Sequence, residues 1–228
     1  MIALFEKKVK LNKNVYTFYF STKKAVNNVP GQYLELTAPH KTPDYRGSMR
    51  KFTIYSSPTE PLLAITTRIS SKKSSFKENL LNLKLGDKLT YTEPIGDFIL
   101  PIDESIPLLF IASGIAITPV RSILKWLKDT NQRRDIKLIY ATKHQSDFIE
   151  RKLLSSVPVF YFVTKPSAKQ QDTNEKLSLS AVKKLTPITS RTHVYISGTK
   201  KMVTTFKEEL IKTGFPSNQI ITDAFEGY

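Results

Sequence analysis

The sequence of 228 residues contains no cysteine. This absence excludes disulfide bonds, cysteine-held iron–sulfur clusters and thiol catalysis on this chain. The three histidines, His40, His144 and His193, are scattered and lack the spacing of metal ligands, so we expect no bound metal.

Long apolar runs are also absent. No stretch reaches the roughly 18 residues that a membrane-spanning helix needs, and the longest candidate, residues 106–120, is interrupted by Ser, Gly, Thr and Pro. The first residues lack the basic region and the small-residue cleavage site of a signal peptide. We therefore expect a cytoplasmic protein without a membrane span.

Positive charge is in excess along the whole chain. Thirty-five Lys and Arg against 20 Asp and Glu give a formal net charge of +15. Residues 1–100 contribute 16 basic against 8 acidic side chains, and residues 101–228 contribute 19 against 12. This even distribution fits a lysine-rich solvated surface or a docking surface for an acidic electron carrier. It argues against nucleic-acid binding, which favours arginine clusters or aromatic platforms on one face.

The first hundred residues are rich in β-type patterns. Alternating and β-branched runs separated by turn signals, such as Pro30-Gly31 and Gly86-Asp87, predict strands. One short helix is predicted after an N-cap at Ser74 or Ser75. This combination predicts a small closed antiparallel barrel. The predicted strands are residues 3–9, 15–20, 33–37, 51–55, 62–69 and 88–92.

After a boundary near residues 98–103 the pattern changes to alternating strands and helices, which predicts a Rossmann-like parallel sheet with helices on both faces. We therefore predict two domains, residues 1–100 and 101–228. In the last helix Met202, Phe206 and Leu210 recur at every fourth position and predict a core-facing stripe. Residues 165–174 are predicted to form a surface loop. The predicted strands are residues 108–112, 136–140, 159–163, 194–196 and 219–221, and the predicted helices are residues 120–128, 148–154, 180–185 and 201–213.

One segment of each half carries candidate chemistry. In the second half, a strand runs into a small-residue turn and a helix with Pro119 in its first turn, a geometry that presents helix N–H groups to a phosphate. Because the turn lacks the glycine-rich fingerprint, it also fits an ordinary strand–helix turn. In the first half, Arg50, Phe52 and Thr53 share one strand. There the arginine could bind a pyrophosphate, the phenylalanine could stack on an aromatic ring, and the threonine hydroxyl could hydrogen-bond a ring nitrogen. Taken alone, that strand also fits an edge strand with a surface arginine.

The sequence RKFTIYSSP, which begins at Arg50, resembles the R-x-[YF]-[ST]-x-x-[ST] flavin motif of the ferredoxin–NADP⁺ reductase superfamily, including its small bacterial members. Further segments resemble the same superfamily in the same order along nearly the whole chain. They are PGQYLEL, TTRISSKKSSFKENLLNLKLGDKL, PIGDFIL, IASGIAITPVRSIL, VYISGTKKMV and DAFEGY.

The resemblance implies an FAD site on the first domain. Arg50 would bind the pyrophosphate, Phe52 would stack near the isoalloxazine or ribityl group, and Thr53 would hydrogen-bond near flavin N5, which accepts hydride. The other residues implied to contact FAD are Lys51, Thr66, Arg68, Ser74, Ser75 and Phe76. The last three would present a helix N-terminus to the pyrophosphate.

The resemblance also implies a site for NADPH or NADH on the second domain, with the flavin at the junction. Lys143 follows the second strand of this domain, where a cation would meet a 2′-phosphate and favour NADPH. Phe225 would shield the flavin until nicotinamide displaces it. The residues implied to be catalytic are Thr53, Ser197 and Phe225. The residues implied to hold the nucleotide are Gly114, Thr118, Pro119, Thr142, Lys143, Ser197, Gly198 and Met202. Ser113 and Ala116 stand where the family usually has glycine, and Ser197 stands where it usually has cysteine.

The implied function is that of an FAD-dependent NAD(P)H reductase, active as a monomer or homodimer. It would pass hydride from nicotinamide to FAD, and then electrons to an acidic protein carrier such as ferredoxin or flavodoxin. The cofactors would carry the chemistry, and the protein would position them. Two alternatives stay open at this point: a flavin reductase that releases free reduced flavin, and an FAD electron-transfer subunit that binds nicotinamide weakly.

Overall fold

The structure is a computed structural model that describes residues 1–166 and 177–225. The chain divides into two compact units between Ile99 and Leu100. The first unit contains an antiparallel sheet and the second a parallel sheet, which confirms the predicted fold class. Most of the predicted surface loop at residues 165–174 lies outside the described residues.

Six antiparallel strands form the sheet of the first unit. Their order is β4-β3-β6-β1-β2-β5. The outer strands β4 and β5 meet through a bridge between Ile54 and Ile65, so the sheet closes into a barrel. The strands are β1 (Ile2–Lys10), β2 (Val15–Thr22), β3 (Tyr33–Thr37), β4 (Met49–Thr53), β5 (Leu63–Arg68) and β6 (Lys88–Tyr91).

The barrel interior is filled by the alternate apolar side chains of these strands, such as Phe18, Phe20 and Leu36. Strand β4 begins and ends two residues earlier than predicted. The chain leaves the β3 ladder after Thr53, because the N–H of Tyr55 donates to the carbonyl of Ala64 at 2.8 Å and turns the backbone towards β5.

Helix α1 (Ser75–Asn82) covers the barrel. Its N-cap is Ser74, whose hydroxyl oxygen accepts a hydrogen bond from the N–H of Lys77 at 3.2 Å. Phe76 and Leu80 are buried in the barrel core. The capping serine and the apolar spacing therefore fix both the start of α1 and the face that it buries.

Five parallel strands form the sheet of the second unit, in the order β11-β10-β7-β8-β9. The chain moves outward from β7 in one direction and then returns to add β10 and β11 on the other side. The boundary between β7 and β10 is therefore a topological switch point, where ligands bind at the carboxyl ends of the strands. The elements are β7 (Leu108–Ser113), α2 (Thr118–Asp129), β8 (Ile136–Thr142), α3 (Arg151–Leu154), β9 (Val159–Val163), α4 (Leu179–Leu185), β10 (His193–Thr199), α5 (Lys200–Lys212) and β11 (Ile220–Phe225).

Helix α3 is shorter than the predicted helix at residues 148–154. Glu150 has a φ of +59°, a left-handed conformation that a continuous helix cannot contain. Phe148 lies before it in extended backbone and packs edge-on against Tyr140 and Tyr161. The apolar residues at the start of the predicted helix therefore belong to this aromatic cluster and not to the buried face of a helix.

The predicted stripe on α5 is largely confirmed. Phe206 and Leu210 are buried in the core of the second unit, and Val203 joins them. Met202 is only half-buried, because it lies in the first turn of the helix, close to the end of β10. In the described parts of the chain, no helix combines the length and the apolar character that crossing a bilayer requires.

Candidate functional site

Arg50 lies at the start of β4 and is 7% exposed. Its Nη1 donates to three main-chain carbonyls, those of Arg46 at 2.7 Å, Gly47 at 3.0 Å and Met49 at 2.6 Å. Its Nη2 donates to Oδ1 of Asp44 at 3.1 Å. The guanidinium group is therefore held in one orientation by the loop that precedes its own strand.

The same loop is tied to the N-terminus of α1. Oδ2 of Asp44 accepts from the N–H of Ser75 at 3.3 Å, and the N–H of Asp44 donates to Oγ of Ser75 at 2.8 Å. Arg46 joins this group, because its Nη2 donates to Oδ2 of Asp44 at 3.0 Å. The structure thus brings together Arg50 of the flavin motif with Ser74 and Ser75, which were predicted from the later segment that resembles the family's phosphate-binding helix start.

Four cations surround this helix end. Burial lowers the pKa of Lys77, and the positive charges of Arg46, Arg50 and Arg68 lower it further. The hydrogen bond from Arg46 holds the pKa of the Asp44 carboxyl well below its usual range. A site with this charge stabilises anions. Guanidinium groups and the first N–H groups of a helix are the donors that phosphates prefer, so this donor set fits the diphosphate of FAD.

The two predicted aromatic residues of this site lie against each other. The ring centroids of Phe52 and Phe76 are 5.8 Å apart, and Cζ of Arg50 lies 5.3 Å from the Phe76 centroid. Phe52 is only partly buried and packs on the barrel core. Lys51 and Thr53 lie on the opposite face of the strand, where Lys51 is exposed with Nζ 5.6 Å from a tyrosine ring centroid and Thr53 is buried.

Strand β5 carries the remaining predicted flavin residues. Arg68 belongs to the cation group through its effect on the pKa of Lys77. Thr66 is buried, and its Oγ1 lies 2.8 Å from Oγ1 of Thr17. The hydroxyl of Thr66 therefore has a partner within the barrel, and its placement favours a role in joining β2 to β5.

In the second unit, the predicted nucleotide turn follows β7. A 3₁₀ turn, Gly114–Ile117, leads into α2, whose first two residues are Thr118 and Pro119. Gly114 has a φ of +54°, which favours glycine because it has no Cβ. The hydroxyl of Tyr140 donates to the carbonyl of Gly114 at 3.1 Å, so β8 holds the turn in place.

The end of β10 lies beside this turn across the switch point. A Cβ built on Gly198 would lie 2.7 Å from Sδ of Met202 and 2.8 Å from Oγ of Ser113. Residues from β7, β10 and α5 therefore meet at one point. This close packing places two of the predicted nucleotide residues, Gly198 and Met202, beside Ser113, the residue before Gly114, at the same edge of the sheet.

Two buried hydroxyls distinguish this edge. Oγ of Ser197 and Oγ1 of Thr118 have no hydrogen-bond partner among the residues that the structure describes. Both residues are almost completely buried, at 0% and 1% exposure. Buried polar atoms in folded proteins are nearly always paired. The two hydroxyls therefore fit polar groups of a ligand, such as a nicotinamide nucleotide, bound at the carboxyl ends of β7 and β10.

The other predicted nucleotide residues lie at the same edge of the sheet, but their contacts do not by themselves indicate a ligand. Phe225 is half-buried at the end of β11, in register with Thr199. Thr142 ends β8 and its hydroxyl donates to the carbonyl of His144 at 2.9 Å. Lys143 is exposed, and its carbonyl accepts from the N–H of Lys165 at 2.9 Å. Two lysines thus follow adjacent strands.

Four residues described here, Asp44, Arg46, Lys77 and Lys165, were not predicted from the sequence as parts of a site. Asp44 falls in a stretch that only indicates a turn, although an acid before Arg46 and Arg50 is a signal for an ion-pair network. Lys165 becomes a neighbour of Lys143 only through the pairing of β8 with β9. Within the described ranges, no group of three or more His, Cys, Asp or Glu is placed to hold a metal ion.

Residues 110–208 match the family model of the oxidoreductase NAD-binding domain. Flavohemoprotein A of Dictyostelium discoideum is 25% identical over 234 residues, which cover 96% of this chain and 59% of that protein. The stachydrine N-demethylase reductase subunit Stc4 of Rhizobium meliloti is 33% identical over 143 residues, which cover 60% of this chain and 39% of that protein. The chain thus spans less than two thirds of these relatives.

Solved structures share the fold over almost the whole chain. The flavohemoprotein-like FAD/NAD-binding domain of a nitric oxide dioxygenase from Vibrio cholerae superposes with a TM-score of 0.80 at 17% identity, covering 98% of both chains. A ferredoxin NADP⁺ reductase from Neisseria gonorrhoeae with bound FAD and NADP superposes with a TM-score of 0.83 at 16% identity, again covering 98% of both. At these identities the likeness establishes a common fold.

Proposed function

We propose that this chain is an FAD-dependent NAD(P)H oxidoreductase of the ferredoxin–NADP⁺ reductase-like superfamily. The match of residues 110–208 to the NAD-binding domain family and the fold shared with FAD- and NAD(P)-binding reductases support this proposal. The observation that carries the proposal is the pair of buried, unpartnered hydroxyls of Thr118 and Ser197. They lie at the switch point of a parallel sheet, within the segment that matches the NAD-binding family.

In the first unit, Arg50 and the N–H groups at the start of α1 would bind the FAD diphosphate, with Arg46, Arg68 and Lys77 adding positive charge. Main-chain carbonyls fix the Arg50 guanidinium before any ligand arrives. Such pre-organisation reduces the entropy lost on binding. Phe52 and Phe76 would give the same ligand an apolar surface.

In the second unit, Thr118 and Ser197 would hydrogen-bond the nicotinamide nucleotide, and Gly198 lets Met202 and Ser113 pack closely beside them. When bound, FAD supplies the exchange between two-electron and one-electron chemistry. The residues of the chain bind, orient and exclude water. Among them, Thr53 would hydrogen-bond the flavin ring system.

We further propose that the donor is NADPH and that the acceptor is an acidic electron-carrier protein such as ferredoxin, flavodoxin or an oxygenase component. Lys143 and Lys165 support NADPH, because two cations at adjacent strand ends would attract a 2′-phosphate. The net charge of +15 supports an acidic acceptor through long-range attraction. By their names, several relatives are reductase subunits of oxygenase or demethylase systems, which supports the same class of acceptor.

An absorbance spectrum of the purified protein, followed by anaerobic titration with NADPH and NADH, tests this proposal. We expect a yellow protein whose flavin absorbance is bleached by NADPH at lower concentration than by NADH. A colourless protein that reduces added flavin would favour the alternative of a flavin reductase. A yellow protein that neither nucleotide bleaches would favour an electron-transfer subunit and would refute the proposal.

Variants separate the two cofactors. Arg50→Ala should lose flavin, and Lys84→Ala, which removes an exposed cation of the same unit, should retain it. Ser197→Ala and Thr118→Val should each weaken NADPH binding by about 2–10-fold, the value of a lost hydrogen bond, and leave flavin content unchanged. Equal flavin loss in all four variants would contradict the assignment of the two sites to separate units.

A further inference from the structure

We propose that Asp44 occupies the diphosphate site of the first unit when no flavin is bound, and that it competes with FAD for Arg46, Arg50 and the N-terminus of α1. Asp44 would then set how tightly FAD is held. This inference rests on the proposed function, because it assigns to the same site a residue that opposes cofactor binding.

The carboxylate of Asp44 uses both of its oxygens. Oδ1 accepts from Nη2 of Arg50 at 3.1 Å and from the N–H of Arg46 at 3.0 Å. Oδ2 accepts from Nη2 of Arg46 at 3.0 Å and from the N–H of Ser75 at 3.3 Å. These contacts combine two guanidinium groups with a helix N-terminus. The same donors bind phosphate oxygens.

The arrangement permits exchange of one anion for another. Nη1 of Arg50 is committed to three main-chain carbonyls, which keep the guanidinium in place. The carboxylate contacts the other end of the fork, through Nη2. Asp44 lies in the loop between β3 and β4, and its side chain is 23% exposed. The Arg50 side chain itself is only 6% exposed, so a phosphate would first displace the partly exposed carboxylate and would then meet Nη2 without moving Arg50.

Charge favours the replacement. Asp44 contributes one negative charge to a cluster that contains the four cations Arg46, Arg50, Arg68 and Lys77, so an excess of positive charge remains. Burial and the charges of the three arginines both lower the pKa of Lys77. A diphosphate brings two negative charges to the same donors. FAD should therefore displace Asp44, whereas riboflavin, which has no phosphate, should not compete with it.

The experiment compares wild type, Asp44→Asn and Glu78→Gln as flavin-free proteins titrated with FAD, ADP and riboflavin. Asparagine keeps the size of Asp44 and an oxygen acceptor, so the loop can retain its bonds to Ser75. Glu78→Gln is the matched control, because Glu78 is exposed in the first turn of α1 and pairs with Lys73 at 3.5 Å. It removes the same charge beside the same helix without touching Arg50.

We expect Asp44→Asn to bind both FAD and ADP about tenfold more tightly than wild type, on the scale of a hydrogen bond to a charged group. Riboflavin affinity should be unchanged, and Glu78→Gln should change each affinity by less than about twofold. Equal or weaker FAD binding by Asp44→Asn would overturn the inference and make Asp44 a residue that positions Arg50. Equal tightening by both variants would also overturn it, because net charge alone would explain the effect.

The experiment distinguishes failure of this inference about Asp44 from failure of the proposed function. If wild type bound no FAD, the proposed function would fail, and ADP would still test Asp44. Tighter ADP binding by Asp44→Asn would then support competition at this anion site, and an unchanged or undetectable ADP affinity in both proteins would overturn it.

Discussion

Gly198 lies near the end of β10, where an alanine would place a methyl group among tightly packed side chains. The new Cβ would lie 2.7 Å from Sδ of Met202 and 2.8 Å from Oγ of Ser113. Both distances are far shorter than a carbon normally allows, so the side chains of Met202 and Ser113 must both move away from the new methyl group.

The size of the effect follows from this geometry. Overpacking a closely packed site costs about 1–3 kcal/mol. The backbone of Gly198 is not left-handed, so alanine also gains about 0.4–1 kcal/mol by restricting the unfolded chain. Taking the middle of each range, we expect Gly198→Ala to lower the free energy of unfolding of the second unit by about 1 kcal/mol.

Urea unfolding followed by tryptophan fluorescence provides the assay. Trp126 is the single tryptophan of the sequence and lies in α2, so its emission reports on the unit that contains Gly198. The substitution is then repeated in the Ser113→Ala and Met202→Ala backgrounds. Each background removes one of the clashing atoms, so the cost of Gly198→Ala should fall in both.

Gly214→Ala is the control. Its φ is +81° and an alanine Cβ there would meet no neighbouring atom within 4 Å, so the cost of the substitution comes from the backbone alone. That cost should be the same in the Ser113→Ala and Met202→Ala backgrounds. A Gly198→Ala protein as stable as wild type, or one whose penalty is unchanged by both backgrounds, would refute the packing described at the switch point.

Three further predictions concern the bonds that hold the two sites. Ser74→Ala should destabilise α1 by about 1 kcal/mol, because the N–H of Lys77 loses its acceptor, and hydrogen exchange of the α1 amides should be about fivefold faster. Tyr140→Phe should cost the second unit about 0.5–1.5 kcal/mol, since the carbonyl of Gly114 loses a donor, and urea unfolding should detect it. The folded-state pKa of Asp44 lies below its ordinary value of 3.8, so its carboxylate stabilises the first unit above that value, and this contribution disappears as the pH falls through the folded-state pKa. The stability difference between wild type and Asp44→Asn should therefore be constant near neutral pH and shrink in acid, as measured by hydrogen exchange across a pH series.

One measured outcome would contradict each of these three expectations. Unchanged exchange in Ser74→Ala would mean that the cap contributes nothing to α1. A Tyr140→Phe protein of wild-type stability would mean that Gly114 is held by other contacts. If the stability difference between wild type and Asp44→Asn grew in acid, the folded-state pKa of Asp44 would lie above its ordinary value, contrary to the prediction.

Local patterns in the sequence were sufficient to predict most elements of the fold. Alternation identified the strands of the barrel, since one face of each must be buried, and the predicted N-cap at Ser74 or Ser75 located the start of α1 to within one residue. Predictions failed where a distant contact sets the backbone. The end of β4 depends on the pairing of Ile54 with Ile65, and the break at Glu150 depends on an aromatic cluster assembled from β8, β9 and the loop between them.

The candidate site divides in the same way. Arg50 and Ser75 were predicted as site residues because they lie in short motifs with a direct physical meaning, and the structure brings them close together. The ion pairs of Asp44 require a loop to fold back on α1, and the neighbourhood of Lys143 and Lys165 requires the register of β8 with β9. Neither the loop conformation nor the register is encoded within a few consecutive residues.

The closure of the barrel has a mechanical consequence. Strand β4 pairs with β3 over five residue pairs, whereas its junction with β5 depends on the Ile54–Ile65 bridge and the bond from Tyr55 to Ala64. We expect this seam to be where the barrel first opens, and Arg50 and Arg68 lie on its two strands. A ligand bound by both Arg50 and Arg68 would hold the two strands together. At a ligand concentration of 100 times its Kd, binding would add about 2.7 kcal/mol to the free energy of unfolding. Loss of cofactor would then expose a strand edge to aggregation as well as abolish activity.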